Sequence, residues 1–322
     1  MNTRKRILLK ILKHIILIGI LLSATAANLL AWGPGVHAYV ADHVSKKAGW
    51  KNIDEMYGAM APDVINYMFY SPHLSDMYAE THFNYERMWA AAETTRERVL
   101  AFGFLMHNNV WAADFSAHTG SLSLGDHGHG YVIQKAALLS TILESDPAYA
   151  SLGIPHAITV EICHTMIESS VELLMTQIDG DVGKRVVLAA TERSNVFPRL
   201  LARAYAQLFA PYFNNSELQA SEALLAAETV FRQIMTAQGE MMQQDLPIAL
   251  DQLAGLNAQM AEGFLAQYGV VLPEDFDAKG LISNLIAAGM MLCQADFEEE
   301  VRATVEAVRE NLVQYGYRFP QY

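Results

Sequence analysis

Ten of the eleven histidines lie between His37 and His164, with aspartates and glutamates interspersed at suggestive intervals. In chain order, the groups able to bind a hard or borderline cation are Trp32, through a freed amine, then His37, Asp63, His82, His107, Asp114, His118, His164 and Glu168. Nine such groups are enough for three zinc ions. Asp114 and His118 are four residues apart, as are His164 and Glu168, so on a helix each pair shares a face and reaches one ion or two adjacent ions. His107 and Asp114 are seven apart, which on a straight helix is the same face but roughly 10 Å along the axis. Divalent cations a few ångströms apart lower the pKa of a bridging water and stabilise the charge on a five-coordinate phosphorus. A phosphodiester is the natural substrate of such a cluster, and Asp63 could orient or deprotonate the attacking water.

These residues must be placed by helices. After Trp32 no sustained alternation of apolar and polar positions appears, whereas apolar residues recur every three or four positions, so the chain reads as all-α, a multi-helix bundle. The pattern predicts helices over 36–47, 92–118, 130–144, 155–178, 181–208, 216–243, 246–268 and 278–315, joined by loops rich in Gly, Pro, Asp and Asn. Repeats and low-complexity tracts are lacking. The last 158 residues hold no histidine, and residues 216–315 have the Ala, Leu, Gln, Glu and Met of ordinary packed helices. A soft boundary near Pro211 to Asn215 divides the chain into residues 1–31, a helical domain over 32–212 that carries the chemistry, and a C-terminal helical region over 213–322 that could pack in the same domain.

Several candidates also have plain structural readings. Asp63 after Pro62 could cap a turn, and Glu168 could be a solvated helix charge. His127 and His129, in a loop with four glycines, read as surface residues, and His73 and His156, each after a proline, as loop or helix-start residues. Tyr67-Met68-Phe69-Tyr70 reads first as core, though it could line an acyl-chain or headgroup pocket. Cys163, next to His164 but about 100° around a helix, reads as a buried thiol.

The ordered set Trp32-Gly33-Pro34-Gly35-Val36-His37, Ala61-Pro62-Asp63, Thr81-His82-Phe83, Gly103 to His107, Asp114 to His118 and His164 to Glu168 resembles the zinc-dependent phospholipase C and single-strand nuclease superfamily over roughly residues 32–175. The resemblance implies an all-α protein with three zinc ions in a cleft. Trp32, by amine and carbonyl, and His37 would hold one ion; Asp63, His82 and His107 a second, with Asp114 bridging the two. His118, His164 and Glu168 would hold the third. One departure is the seven-residue step from His107 to Asp114, where the family has four, as if a triplet such as Asn108-Asn109-Val110 were inserted. The helix must then bulge, or His107 belongs to a different shell.

Residues 4–13 carry five basic side chains and no acid, Ile15 to Leu22 is aliphatic, and small residues follow, the order of a secretory signal. Removal of residues 1–31 would leave 17 basic and 35 acidic side chains, a net charge of −18. Cleavage after Ala26 fits the small-x-small rule better than cleavage after Ala31, yet would leave the Trp32 nitrogen in a peptide bond, and the site would then bind two metals rather than three. An uncleaved anchor is the lesser alternative, because the apolar stretch is shorter than the roughly 20 residues of a membrane span. The expectation is therefore a secreted or periplasmic zinc phosphodiesterase of phospholipase C type, acting on a phospholipid or related phosphodiester with transient membrane-surface contact. The alternatives are a single-strand-specific nuclease and an inactive exported helical binding protein.

At 322 residues and 52% apolar, the chain can bury a substantial core, which excludes a disordered tail or a collagen-like fibre. The net charge of −13 argues against broad nucleic-acid binding, which needs many cationic contacts to phosphate. Two cysteines, Cys163 and Cys293, allow at most one bridge and rule out a cysteine-rich zinc module.

Overall fold

A computed structural model describes residues 32–45, 48–68, 71–125 and 128–318. The signal expected over residues 1–31 lies outside the described residues, as do Phe69, Tyr70 and His127. Every regular element among the described residues is helical.

The helices are α1 (Pro34–Ser45), α2 (Trp50–Met60), α3 (Leu74–His82), α4 (Arg87–Ala91), α5 (Thr95–Leu105), α6 (Tyr131–Glu144), α7 (Pro147–Ala150), α8 (His156–Ile178), α9 (Val182–Glu192), α10 (Phe197–Phe209), α11 (Glu217–Met241), α12 (Leu246–Gln267), α13 (Ala278–Cys293) and α14 (Phe297–Gln314). A 3₁₀ turn, Ala61–Tyr67, continues α2, and a wide π-turn spans Phe115–Thr119. No single helix among the described residues is long and apolar enough to cross a membrane.

At the centre runs α8, 23 residues long and buried on nearly every side between Ile162 and Met175. A helix apolar or uncharged around most of its circumference belongs inside, and α1, α6, α9, α12 and α13 surround it. Its buried polar positions, His164, Glu168, Ser169, Ser170 and Glu172, therefore need partners within the protein. Ser170 Oγ lies 2.6 Å from the Met166 carbonyl and 2.9 Å from the Ile286 carbonyl on α13, and Ser169 accepts from Asn257 on α12 at 2.8 Å.

α2 and α5 meet at backbone distance. A methyl on Gly58 would overlap the Leu100 carbonyl, and one on Gly103 the Glu55 carbonyl, so only glycine permits this approach. Thr94 and Glu97 form a reciprocal capping box at the start of α5.

Three expected helices are broken. The helix expected over 92–118 ends at Leu105, because Asn108 folds the next residues back. Its Nδ2 donates to the Leu105 carbonyl at 2.7 Å, and its Oδ1 accepts from Val110 and Trp111 N–H at 2.9 and 3.0 Å. An asparagine side chain that bonds its own neighbourhood competes with helical pairing. The span 181–208 divides at Arg193–Val196, where Asp54 accepts the Ser194 N–H at 2.6 Å and Pro198 opens α10. The span 278–315 divides at Gln294–Asp296 with a 68° bend. The short helices α2, α3 and α4 were not in the expected set, since Gly58, Pro62 and Pro72 interrupt the pattern that would have announced them.

The C-terminal helices share one continuous apolar core with the rest. α14 in particular reaches back to the first half of the chain. Glu300 accepts from Ser121 Oγ, Leu122 N–H, and Ser123 N–H and Oγ at 2.6–2.8 Å. Thr304 Oγ1 lies 2.8 Å from Ser116 Oγ, Asn311 donates to the Trp111 carbonyl at 2.9 Å, and Arg309 to the His43 carbonyl at 2.8 Å.

Candidate metal centre

His37 lies in the first turn of α1, whose start is fixed from outside. Glu172 on α8 accepts the Gly35 and Val36 N–H groups at 2.8 and 3.1 Å, taking the role of an N-cap. Burial pushes the Glu172 carboxyl up to about 7, against the opposing pull of those two N–H donors. A side chain on Gly33 or Gly35 would collide with this carboxyl. Asp63 stands in the 3₁₀ turn just after Pro62 and accepts from Asn66 Nδ2 at 2.8 Å. His82 ends α3, beneath the ring of Tyr78, with ring centroids 3.6 Å apart.

The break after α5 solves the seven-residue spacing. His107 and Asp114 lie on a folded-back loop rather than a straight helix, with Ala113 N–H on the Met106 carbonyl at 3.0 Å and Asp114 N–H on the His107 carbonyl at 2.7 Å. His107 Nε2 thereby lies 3.0 Å from Asp114 Oδ2. The expected 10 Å separation does not arise, and both side chains belong to the same cluster.

Eight of the nine candidates converge in three groups: His37, His107 and Asp114; Asp63, His82 and His107; and His118, His164 and Glu168. Within each, the donor atoms lie within 4.8 Å of one another. Around Asp114, His37 Nε2 is at 3.3 Å and His82 Nε2 at 3.8 Å. Asp63 Oδ1 lies 3.5 Å from His82 Nε2 and 3.8 Å from His107 Nε2, and those two nitrogens are 3.0 Å apart. In the third group His118 Nε2 and His164 Nε2 face each other at 3.2 Å, with Glu168 Oε1 3.0 Å from His164 Nε2. Two ligands on a tetrahedral zinc, each at about 2.05 Å, would lie about 3.3 Å apart, so the spacings fit a shared cation.

The outward nitrogens agree. His107 Nδ1–H donates to the Ala59 carbonyl at 2.8 Å, and His82 Nδ1 lies 2.8 Å from Thr81 Oγ1, whose hydroxyl donates to the Tyr78 carbonyl, and 3.2 Å from that carbonyl itself. Such bonds hold the proton on Nδ1 and aim Nε2 inward, the arrangement metal-binding histidines use. Several inward atoms, His37 Nε2, both Asp114 carboxylate oxygens and Glu168 Oε1, are buried against one another's ring nitrogens and oxygens without a well-aligned hydrogen bond. Buried polar atoms are normally paired, and a cation in the His37 group with another in the His118 group would satisfy these.

Burial lowers the pKa of His37, His82 and His164, holding them neutral. Burial also acts against charge on His107, but Asp114 and Asp63 outweigh it and raise His107 to about 9. Burial would raise Asp114, yet the His107 imidazolium holds that carboxyl below the usual range. Glu168 is pushed well above its ordinary value by burial and by the carboxylates of Asp63 and Asp114. The cluster is thus rich in donors and short of positive charge, the electrostatic condition for binding divalent cations.

The ninth candidate, Trp32, is held by its side chain. Its indole is buried and donates to Ser116 Oγ at 3.0 Å, while the residues that decide whether its nitrogen is a free amine lie outside the described residues. Among the described residues, the other histidines stand apart from the three groups. His73 stacks on Tyr212, His156 pairs with Glu144 at 2.6 Å, and His129 is exposed in its glycine-rich loop. Cys163 is a buried thiol raised to about 12 by burial, and neither it nor Cys293 forms a disulfide. Sequence reading missed Glu172, Ser116, Tyr78 and Asn109. Only the Asn108-Asn109 pair carried a signal, as a breaker inside an apolar run.

Compared with family models, curated proteins and solved structures, the chain has no match.

Proposed function

We propose that the protein is an exported zinc-dependent phosphodiesterase of phospholipase C type. The single observation that carries this reading is the convergence of eight His, Asp and Glu side chains, nearly all of them buried, into three donor groups, two of which share His107. Imidazole and carboxylate together suit zinc better than they suit a purely oxygen-loving cation.

The His37, Asp63 and His118 groups would each hold an ion, with Asp114 close enough to His37, His82 and His107 to serve two of them. When bound, the ions supply a water activated near neutral pH and charge that stabilises a phosphorane. The chain's own residues do the rest. Neutral His37, His82 and His164 need lose no proton to ligate. Asp63, 9% exposed where His82 and His107 are fully buried, marks with half-buried His118 the side from which a substrate phosphate arrives. Tied to Asn66 Nδ2 through one oxygen, Asp63 is placed to orient and deprotonate the attacking water. The acidic chain disfavours a long nucleic acid and leaves a compact phosphodiester headgroup as the better substrate.

The test is a zinc count on purified protein, with hydrolysis of a chromogenic phosphodiester, phosphatidylcholine and single-stranded DNA compared. Two to three zinc ions per chain, with chelator-sensitive release from the first two substrates, is the expected result. Less than one zinc per chain together with no hydrolysis overturns the reading, and activity confined to DNA replaces it with the nuclease.

A further inference from the structure

The loop between His107 and Asp114 carries a second asparagine whose bonds all lead to the donor cluster. The Asn109 N–H donates to the His82 carbonyl at 3.0 Å, and Asn109 Nδ2 donates to the Tyr78 hydroxyl at 2.8 Å. Tyr78 in turn stacks on His82. The remaining polar atom, Oδ1, lies 3.3 Å from Nδ1 of His118. With Nδ2 committed to Tyr78, Oδ1 can only accept, so His118 must donate from Nδ1 and present Nε2 to His164 and Glu168. Asn109 is 6% exposed, and its side chain is spent entirely on these two neighbours.

We infer that Asn109 is a positioning residue that fixes the tautomer and direction of His118 and ties the His118 group to the His82 group. The inference rests on reading the cluster as a metal centre. It also gives the longer loop a use: Asn108 turns the chain, and Asn109 is carried by that turn to a point between two ligands on different elements. His107 holds its Nδ1 proton with a backbone carbonyl, which no substitution removes, and His82 Nδ1 has the Tyr78 carbonyl at 3.2 Å beside Thr81 Oγ1 at 2.8 Å; at His118 the Nδ1 partner is the Asn109 side chain. Loss of such an outer partner commonly weakens metal binding by about 10–100-fold.

The experiment compares zinc binding by wild type, Asn109→Leu and Asn109→Asp, each checked for tertiary structure by near-ultraviolet circular dichroism. Leucine keeps the volume and loses both bonds; aspartate still accepts from His118 and can accept from the Tyr78 hydroxyl. Asn109→Leu is expected to bind one ion about 10–100-fold more weakly with the other ions unchanged, while Asn109→Asp stays within a few-fold of wild type. Equal weakening of every ion, no weakening, or an Asn109→Asp as poor as Asn109→Leu overturns the inference. Should Asn109→Leu not fold, nitrogen-15 spectra of histidine-labelled wild type decide, with the His118 signal assigned by its loss in His118→Phe. A proton on His118 Nδ1 with and without zinc upholds the role, and a proton on Nε2 in the metal-free protein overturns it. A zinc-loaded wild type that hydrolyses nothing would end the phosphodiesterase reading and leave this result standing, because neither readout uses activity.

Discussion

Asp114 faces three imidazoles, and its charge, with that of Asp63, keeps the buried His107 protonated up to about 9. In metal-free Asp114→Asn, the larger opposing charge is gone, and His107 should titrate below its wild-type value of about 9, a shift that histidine NMR reads directly. The same variant should lose zinc from the two groups nearest Asp114 and keep it in the His118 group. Asp54, buried away from the cluster, gives a pH dependence of its own. Burial raises its carboxyl to about 6, against the Ser194 N–H and the nearby Arg96 and Arg193, so the fold binds a proton that the unfolded chain releases near pH 4. The stability this gives is complete below pH 4 and is lost as pH rises through 6, at most about 3 kcal/mol for a shift of this size. Denaturant titrations at pH 4.5 and 7.5 should show that decline in wild type and a flatter profile in Asp54→Asn. Residue types and spacing made the members of the three donor groups legible in the sequence, down to the pairing of His164 with Glu168. Partners such as Glu172 and Asn109 were not legible, because an acid on a helix and an amide in a loop acquire their meaning only from what the fold sets opposite them.

Among the elements, the α2–α5 contact has the most direct line to the site. Ala59, whose carbonyl orients His107, follows Gly58, and Gly58 touches α5 where a methyl cannot fit. Gly103→Ala should destabilise the fold by about 1–3 kcal/mol through overpacking, measured by urea unfolding, and weaken zinc at the groups containing His107 more than at the His118 group. The all-α class was legible from apolar spacing, and α6, α8, α11 and α12 lie close to their expected limits. The long expected helices failed where side chains intervened. Asn108 ends α5, and a backbone bond to Asp54 occupies the joint between α9 and α10. Hydrophobic periodicity runs through such joints unchanged, because both flanking helices bury the same kind of face.

For the whole molecule, the surprise is the reach of the C-terminal helix. α14 bonds to the residues after His118, to Ser116 between Asp114 and His118, to the loop carrying Asn109 and to the end of α1. Glu300→Gln leaves an amide where five contacts from residues 121–123 require acceptors. It should cost about 1–3 kcal/mol and open the 119–130 segment to proteolysis before the rest of the fold, which limited digestion with mass spectrometry would show. Composition alone could not foresee this, since residues 216–315 look like any packed helices.

His164, Glu168 and Glu172 follow one another at four-residue steps along α8, two belonging to the His118 donor group and the third gripping the backbone just ahead of His37. One rod therefore sets the distance between opposite ends of the centre, as a ruler does. Were α8 to slip by a turn, about 5.4 Å, both ends would lose their alignment together.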